Sequence, residues 1–409
     1  MNSIIFIETN KSGSSREGIR AAKKGGYYVH LFTNRKSILE QKREFSEVDE
    51  MHLINLKDED LIISQIVEIK KEQNVEIIIS FIDSYVTLAV KMHNRFCHNT
   101  LSEHAYNVME DKLLTRRKLQ DKPYSPYYFI YKKDDTLKTL LSQFKQMYPL
   151  ILKSPSSTGS KDVYLINTEY QMRNRINYLQ RKNSNEDLLI EEYLEGPQFN
   201  VESIVHDGEI YIAAIIEQEI TKKNKFIVTG YSISSDVEES IIESIADVTK
   251  RILTDLGLRN GNCHLELRLV KGEWKLIEIN PRISGGVMNR LIEKAYGFNY
   301  AEEILKVYRG LQPSLQRKYE NCIYVQYSVV DSIGEFIEAT NVDLVKKIPG
   351  IIEVFIKASK GQILSPPLSM GHRYGYVMAK GKTRAEAKMY ALQASEQIKF
   401  HLLPNETIQ

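Results

Sequence analysis

The sequence predicts a chain of several domains, α/β at its start and α+β beyond, and three observations carry that reading. A length of 409 residues exceeds what one hydrophobic core organises and fits two to four domains. The first hundred residues alternate short apolar strands with helical segments, the pattern of a parallel sheet with covering helices. Further on, NCHLELRLVKGEWKLIEINPRISGG reads as a two-stranded hairpin carrying acidic and amide side chains at alternate positions. Side chains two apart share a strand face, and a short turn at Lys271-Gly272-Glu273 makes the strands antiparallel neighbours.

Bulk properties narrow the function classes. Acidic and basic residues nearly cancel, to a net charge of +2, so no broad basic field exists to steer nucleic acid. Cys97, Cys263 and Cys322 have neither metal-type spacing nor close pairing, which fits a reducing interior. No apolar run reaches the roughly 18 residues that span a bilayer, and MNSIIFIETN lacks a basic start before its apolar residues. The expectation is a cytoplasmic protein with no membrane or nucleic-acid partner.

In chain order, residues 3–8 form a first strand, and the polar turn 9–15 leads into a helix ending at Gly25-Gly26. Strands follow at 28–32 and 75–81, the latter almost wholly apolar, as a central parallel strand is. The turn KSGSSREG lacks the G-x-G-x-x-G arrangement and reads as tight-turn geometry rather than a dinucleotide loop. Asp83 and Ser84 lie just past the third strand, where such sheets present ligand contacts, and are candidates for substrate binding against simple helix capping. Residues 111–117 are a basic helical segment. A strand at 149–153 ends in Lys153, and Ser154 to Val163 is a small-residue loop containing Ser156, Ser157, Thr158, Gly159 and Ser160. It is no Walker loop, yet its backbone N–H groups and hydroxyls can meet phosphate, with a lysine beside them. A strand at 188–192 then runs into the turn Tyr193-Leu194-Glu195-Gly196-Pro197.

The hairpin carries the sharpest chemistry. His264, Glu266 and Arg268 alternate with Cys263, Leu265 and Leu267, while Trp274, Leu276, Glu278 and Asn280 are read as one face of the second strand. Glu266, Glu278 and Asn280 then converge as hard oxygen donors suited to magnesium carried by phosphates, against the alternative of a solvated hairpin. Arg282 and Ser284-Gly285-Gly286 follow directly. Downstream, helices are expected near 241–256, 289–296, 301–308 and 385–400, strands near 322–330, 334–337, 351–356 and 373–379, and a frayed tail at 402–409.

Four separated segments, MEDKLLTR, LKSPSSTGS, EEYLEGPQFNVES and CHLELR with LIEINPRISGG, resemble the ATP-grasp superfamily. Within it the chain is most similar to carboxylate–amine ligases, particularly the L-amino acid ligases that make dipeptides, with an arginine-preferring member as the first choice. The resemblance implies an N-terminal Rossmann-like domain of the biotin-carboxylase type at 1–100, a linker helix region at 101–114, a nucleotide lid at 115–190 and a large body at 191–409. It implies that Lys112 and Lys153 hold ATP phosphates beneath the loop Ser156 to Ser160. Glu192, Tyr193 and Leu194 would border adenine, and Gln198 would grip ribose where the family usually has glutamate, with Glu202 a second acidic candidate. Glu266, Glu278 and Asn280 would hold two magnesium ions, for which manganese can stand in. Arg282 would stabilise the reacting acyl group, Gly285 and Gly286 would let backbone approach it, and His264, Asp83 and Ser84 would face substrate. The implied partners are two amino acids, in a homodimeric enzyme. The alternatives are a ligase for another small carboxylate, of purine-pathway or peptide-tailoring type, and a noncatalytic ATP-binding regulator.

Overall fold

A computed structural model describes residues 1–409 except 134, 138, 139, 142, 143, 145, 146, 158, 160, 184, 185, 222–225 and 405–409. The N-terminal sheet holds β1 (Asn2–Ile7), β2 (Tyr28–Thr33), β3 (Glu50–Leu53) and β4 (Asn74–Ile79), all parallel in the order β3-β2-β1-β4. Both faces of β1 are buried: Ile4 and Phe6 enter one core, Ile5 and Ile7 another. That is why the strand is apolar at consecutive positions rather than at alternate ones. β3, which sequence reading missed, is short and half-exposed at the sheet edge, so it carries little apolar signal.

A second sheet contains β5 (Tyr128–Tyr131), β6 (Leu150–Lys153), β7 (Val163–Ile166) and β8 (Leu188–Glu192), antiparallel in the order β5-β8-β6-β7. With the helix Glu169–Lys182 it closes a core of its own around Leu150, Leu152, Ile166, Met172, Ile176 and Ile190. Thr168 caps that helix by accepting from the Gln171 N–H (3.2 Å).

The remaining strands are β9 (Gln198–His206), β10 (Glu209–Thr221), β11 (Ile227–Ile233), β12 (Gly261–Val270), β13 (Glu273–Asn280), β14 (Cys322–Ser328), β15 (Gly334–Thr340), β16 (Ile351–Ile356), β17 (Ile363–Leu364), β18 (Gly375–Gly381) and β19 (Lys399–Pro404). Eight of them form one antiparallel sheet, β13-β12-β9-β10-β11-β14-β18-β16, and β17-β15-β19 form a small third layer. The last helix stops at Gln397 rather than Phe400, and β19 pairs with β15 from Lys399 to Pro404. The expected frayed tail is therefore a paired strand through Pro404. Alternation of Phe400 and Leu402 against one face of β15 holds it there. Among the described residues no helix is long and apolar enough to cross a membrane.

The hairpin β12–β13 departs from a plain ladder. Glu266 opposes Glu278 but Leu267 opposes Leu276, so Ile277 is an extra residue, a β-bulge. Before the bulge Trp274 and Leu276 face the core, and after it Ile279 does. The expectation that Trp274, Leu276, Glu278 and Asn280 share a face is thus corrected: the bulge turns Glu278 and Asn280 to the opposite side from Trp274. Trp274 packs edge-on against Phe199, with centroids 5.5 Å apart, and donates its indole N–H to Ser244 (3.0 Å).

The chain passes from β8 to β9 at Gly196, where φ is 152° and a Cβ would lie 1.8 Å from the Leu269 carbonyl. No side chain fits that crossing. Gly196→Ala is expected to lower stability by about 2 kcal/mol or more, read in urea through the fluorescence of Trp274, the chain's single tryptophan. A midpoint equal to that of the native protein would refute this close packing.

Candidate active site

The core-facing alternation of β12, Cys263, Leu265 and Leu267 all fully buried, forces His264, Glu266 and Arg268 to the other side of the strand. Glu278 is the cross-strand partner of Glu266. Glu266 is pinned by two amides: Gln198 donates to one oxygen (3.1 Å) and Gln218 to the other (3.4 Å). Burial pushes the Glu266 carboxyl up to about 7, and the neighbouring negative charge of Glu278 adds to it. Burial also opposes ionisation of Glu278, but the ammonium groups of Lys112 and Lys153 outweigh it and hold that carboxyl down near 2. Lys112 Nζ lies 3.2 Å from Glu278.

Asn280 completes the donor set through a chain of hydrogen bonds with only one consistent polarity. The Arg282 carbonyl can only accept, so the His264 Nδ1 at 2.8 Å carries the proton. Burial lowers the His264 pKa to about 4, so the ring is neutral and its Nε2 accepts from Asn280 Nδ2 (3.2 Å). Asn280 Oδ1 is thereby left for a ligand. His264, expected to face substrate, is instead 5 % exposed and orients Asn280. Two carboxylates and one oriented amide oxygen on a single strand pair fit a divalent cation such as magnesium.

Opposite this hairpin, across a cleft, lies the sheet β5-β8-β6-β7. Lys112, Lys153, Ser157, Glu192, Tyr193, Leu194, Gln198, Glu266 and Glu278 all line the cleft, so most of the expected phosphate, base and metal contacts meet in one place. Ile151, Val163, Ile220, Phe226, Val228 and Met370 make an apolar slot beside them. Lys112 opens the helix Lys112–Lys118, whose N-terminus is capped by Asp111, and donates to the Pro155 (3.3 Å) and Ser157 (3.1 Å) carbonyls. Ser156 N–H donates to Glu186 (2.9 Å), and Gly159 accepts from Met370 N–H (3.3 Å). Thr158 and Ser160 fall outside the described residues.

Three residues that sequence reading missed hold the two walls together. Glu191, buried on β8, pairs with Lys153 at 2.5 Å and with Arg116. Arg116 also donates to the carbonyls of Leu276 (3.0 Å) and Ile277 (2.7 Å) at the bulge. Arg268 donates to the Leu194 carbonyl (2.7 Å) and to Gln198 Oε1. A glutamate inside the apolar run Leu188-Leu189-Ile190 was the available signal for Glu191.

Other expectations are corrected here. Gln198 lines the cleft, but its amide is engaged at both ends, by Arg268 on the oxygen and by Gln218 (2.6 Å) and Glu266 on the nitrogen. It braces the β12–β13 hairpin instead of offering ribose a free acceptor. Glu202 is fully buried and accepts from Asn200 (3.2 Å) and from the Ser284 N–H (3.0 Å). It supports the Ser284-Gly285-Gly286 loop from below and cannot reach ribose. Asp83 pairs with Arg282 of its own chain, so its carboxylate is not free for a substrate cation, and Ser84 is exposed beside it. The turn before the first helix meets the same loop: Ser14 donates to the Ser284 carbonyl (2.5 Å), and a Cβ on Gly13 would lie 3.1 Å from the Gly286 carbonyl.

Comparison with known proteins agrees with this geometry. A family profile described as ATP-grasp domain matches residues 146–290, which contain the loop, both magnesium-type carboxylates and Arg282. Residues 146–290 thus carry an ATP-grasp domain. A second profile, L-amino acid ligase C-terminal domain 2, matches residues 326–402, so that segment is similar to the C-terminal domain of L-amino acid ligases. The uncharacterized protein y4rH of Sinorhizobium fredii is 25 % identical over 63 % of this chain and 54 % of its own length. The L-arginine-specific L-amino acid ligase of Bacillus subtilis is 24 % identical over 53 % of this chain and 54 % of its own. The chain thus spans about half the length of these relatives. The crystal structure of an L-amino acid ligase from Bacillus licheniformis superposes with a TM-score of 0.83 at 20 % identity, covering 99 % of each chain.

Burial raises the Glu202 carboxyl from an ordinary 4.5 to about 7, and its second oxygen has no hydrogen-bond donor among the described residues. The folded state therefore binds a proton that the unfolded state releases between these values. Glu202 contributes stability that is present below about pH 4.5 and is lost as pH rises to about 7, by roughly 3 kcal/mol. Glu202→Gln should remove that term, so the difference in unfolding free energy between native and variant should change by this amount across the window. A difference that stays constant with pH would overturn the assignment.

Proposed function

We propose that the protein is an ATP-dependent ligase that joins two unprotected L-amino acids into a dipeptide through an acyl phosphate, releasing ADP and phosphate. The observation that carries this reading is the convergence of Glu266 and Glu278 with Lys112 and Lys153 across one cleft, with Asn280 two residues on along β13 and Arg282 and Gly285-Gly286 following it in the chain. A carboxylate resists attack by an amine, and its conversion to an acyl phosphate supplies a good leaving group. Magnesium held by Glu266, Glu278 and Asn280 would neutralise charge on the transferring phosphoryl group. Lys112 and Lys153 supply positive charge from the lid side. Burial pulls the Lys153 ammonium down, and the touching Glu191 carboxylate opposes that loss. The amine of the second substrate then displaces phosphate. The Asp83 carboxylate raises the Arg282 pKa against the effect of burial, so the guanidinium is a fixed cation beside the glycine loop where an oxyanion would develop. Closure of Ser154 to Ser157 over the cleft would keep water from the acyl phosphate. Arginine as the N-terminal substrate, and a homodimeric cytoplasmic enzyme, are finer parts of the reading. The arginine preference is supported by the name of the Bacillus subtilis relative, not by Asp83.

Phosphate release measured over single and paired amino acids, with mass detection of products, tests the reaction. Dipeptides with stoichiometric ADP are expected, arginine ranking first among N-terminal partners. ATP turnover without any peptide product would refute the dipeptide reading. Glu278→Ala should reduce ADP formation by at least about 100-fold with an unchanged melting temperature, and normal turnover at ordinary magnesium would refute the metal assignment. Arg282→Ala should lower kcat/KM for ligation by about 100-fold, and an unchanged value would remove that residue from the mechanism.

A further inference from the structure

Next to Met370 and Val228 of the cleft wall stands a cation that the reaction above does not use. Arg373 stands between the turn Met370–His372 and β18. Its guanidinium carbon lies 3.9 Å from the centroid of the Tyr327 ring and 5.8 Å from that of Tyr231. Nε donates to the Met370 carbonyl (3.2 Å) and Nη1 to the Val228 carbonyl (3.3 Å) and the Tyr231 hydroxyl (3.5 Å). Every one of these acceptors is neutral, and no carboxylate pairs with Arg373 among the described residues. By contrast Lys112, Lys153, Arg116 and Arg282 each meet a carboxylate.

A second polar group beside it also lacks a partner. Tyr327 is 6 % exposed, yet its hydroxyl makes no hydrogen bond among the described residues. Buried hydroxyls ordinarily find one. Both groups lie against the same glycine: a Cβ built on Gly286 would sit 3.0 Å from Tyr327 Oη and 3.7 Å from Arg373 Nη2. A guanidinium and a hydroxyl donor thus meet at the glycine loop with no acidic side chain between them among the described residues. Arginine and a phenolic O–H suit a carboxylate, the first by its paired N–H groups and the second as an added donor.

In a ligase of the kind proposed above, on which this inference rests, two carboxylates enter the site. One reacts and must lie with the phosphates beside Glu278 and Lys153. The other belongs to the amine donor, stays ionised throughout, and needs a counter-charge on the far side of the glycine loop. We propose that Arg373, with the Tyr327 hydroxyl, seats the non-reacting carboxylate of the amine-supplying substrate, so that the enzyme demands a free amino acid as acceptor. Both residues lie within 326–402, the segment that matches the L-amino acid ligase C-terminal domain, and not within the ATP-grasp match that holds the phosphate and metal residues.

The test compares three acceptors with one acyl donor and ATP: a free amino acid, the same amino acid as its C-terminal amide, and hydroxylamine, which traps the acyl phosphate as a hydroxamate. The native enzyme should favour the free acid over the amide by about 100-fold in kcat/KM. Arg373→Ala should erase that preference through the acceptor's KM, with hydroxamate formation within about threefold of native and an unchanged melting temperature. Arg373→Lys should recover part of the preference, and Tyr327→Phe should reduce it about tenfold. Equal loss with all three acceptors, or a native preference that survives Arg373→Ala, would overturn the seat while leaving the ligase reading intact. Selective loss of hydroxamate formation would instead assign Arg373 to the acyl donor and overturn the proposal. If the native enzyme forms neither ADP nor hydroxamate with any amino acid, the ligase reading fails and the seat falls with it.

Discussion

Glu191 sits on the inner strand of the lid sheet with a cation on either side, Lys153 from the neighbouring strand and Arg116 from the helix that enters the lid. Through Arg116 the same carboxylate is tied to the carbonyls of Leu276 and Ile277, where the β12–β13 hairpin bulges. Much of the nucleotide cleft depends on this arrangement. The bulge decides that Glu278 faces the cleft, and Arg116 holds the bulge carbonyls while orienting Glu191. Glu191 in turn fixes Lys153 at the cleft wall. Removing one member of a buried ion cluster leaves uncompensated charge, a loss of about 3–5 kcal/mol. The position of the β5-β8-β6-β7 sheet and the geometry of the Glu266–Glu278 pair are therefore coupled through one buried charge.

The glycine loop is the second point of convergence. Glu202 and Asn200 hold Ser284 from β9, Ser14 holds its carbonyl from the N-terminal domain, and Gly13 packs on the backbone of Gly286. Arg282, one turn earlier, is fixed by Asp83 from the end of the parallel sheet. The N-terminal domain thus contributes to the reaction centre by bracing it. From the other side Tyr327 and Arg373 of the C-terminal part approach the same loop. Three regions far apart in sequence meet at Gly286, and Gly13 can pack on its backbone because it lacks a Cβ, which would lie 3.1 Å from the Gly286 carbonyl.

The parts of the site that were legible in the sequence are those whose partners lie nearby along the chain. Glu266, Glu278 and Asn280 share one hairpin, and period-two alternation against Cys263, Leu265 and Leu267 assigns the face of β12. Lys153 at the end of its strand, the small-residue loop behind it and the turn into Tyr193-Leu194 were found on the same local grounds. Asp83 and Glu202 were given substrate and ribose roles, because a single sequence cannot say which arginine or backbone N–H will meet a carboxylate. Arg373, Tyr231 and Tyr327 left no signal, since lone aromatic residues and an arginine before a strand are ordinary core and surface features.

The sequence by itself determined the run of strands and helices, the hairpin that carries the oxygen donors, and the family resemblance borne by four separated motifs. Those properties follow from local periodicity and from residue types that phosphate and metal chemistry require. Only the tertiary structure decided that Ile277 is a bulge, that Glu191 joins the lid to the hairpin and that Asp83 neutralises Arg282. It alone set Arg373 and an unpartnered Tyr327 hydroxyl over Gly286. Each of these depends on atoms brought within a few ångströms across long stretches of chain, and pairwise electrostatics and close packing act at that distance whatever the separation in sequence.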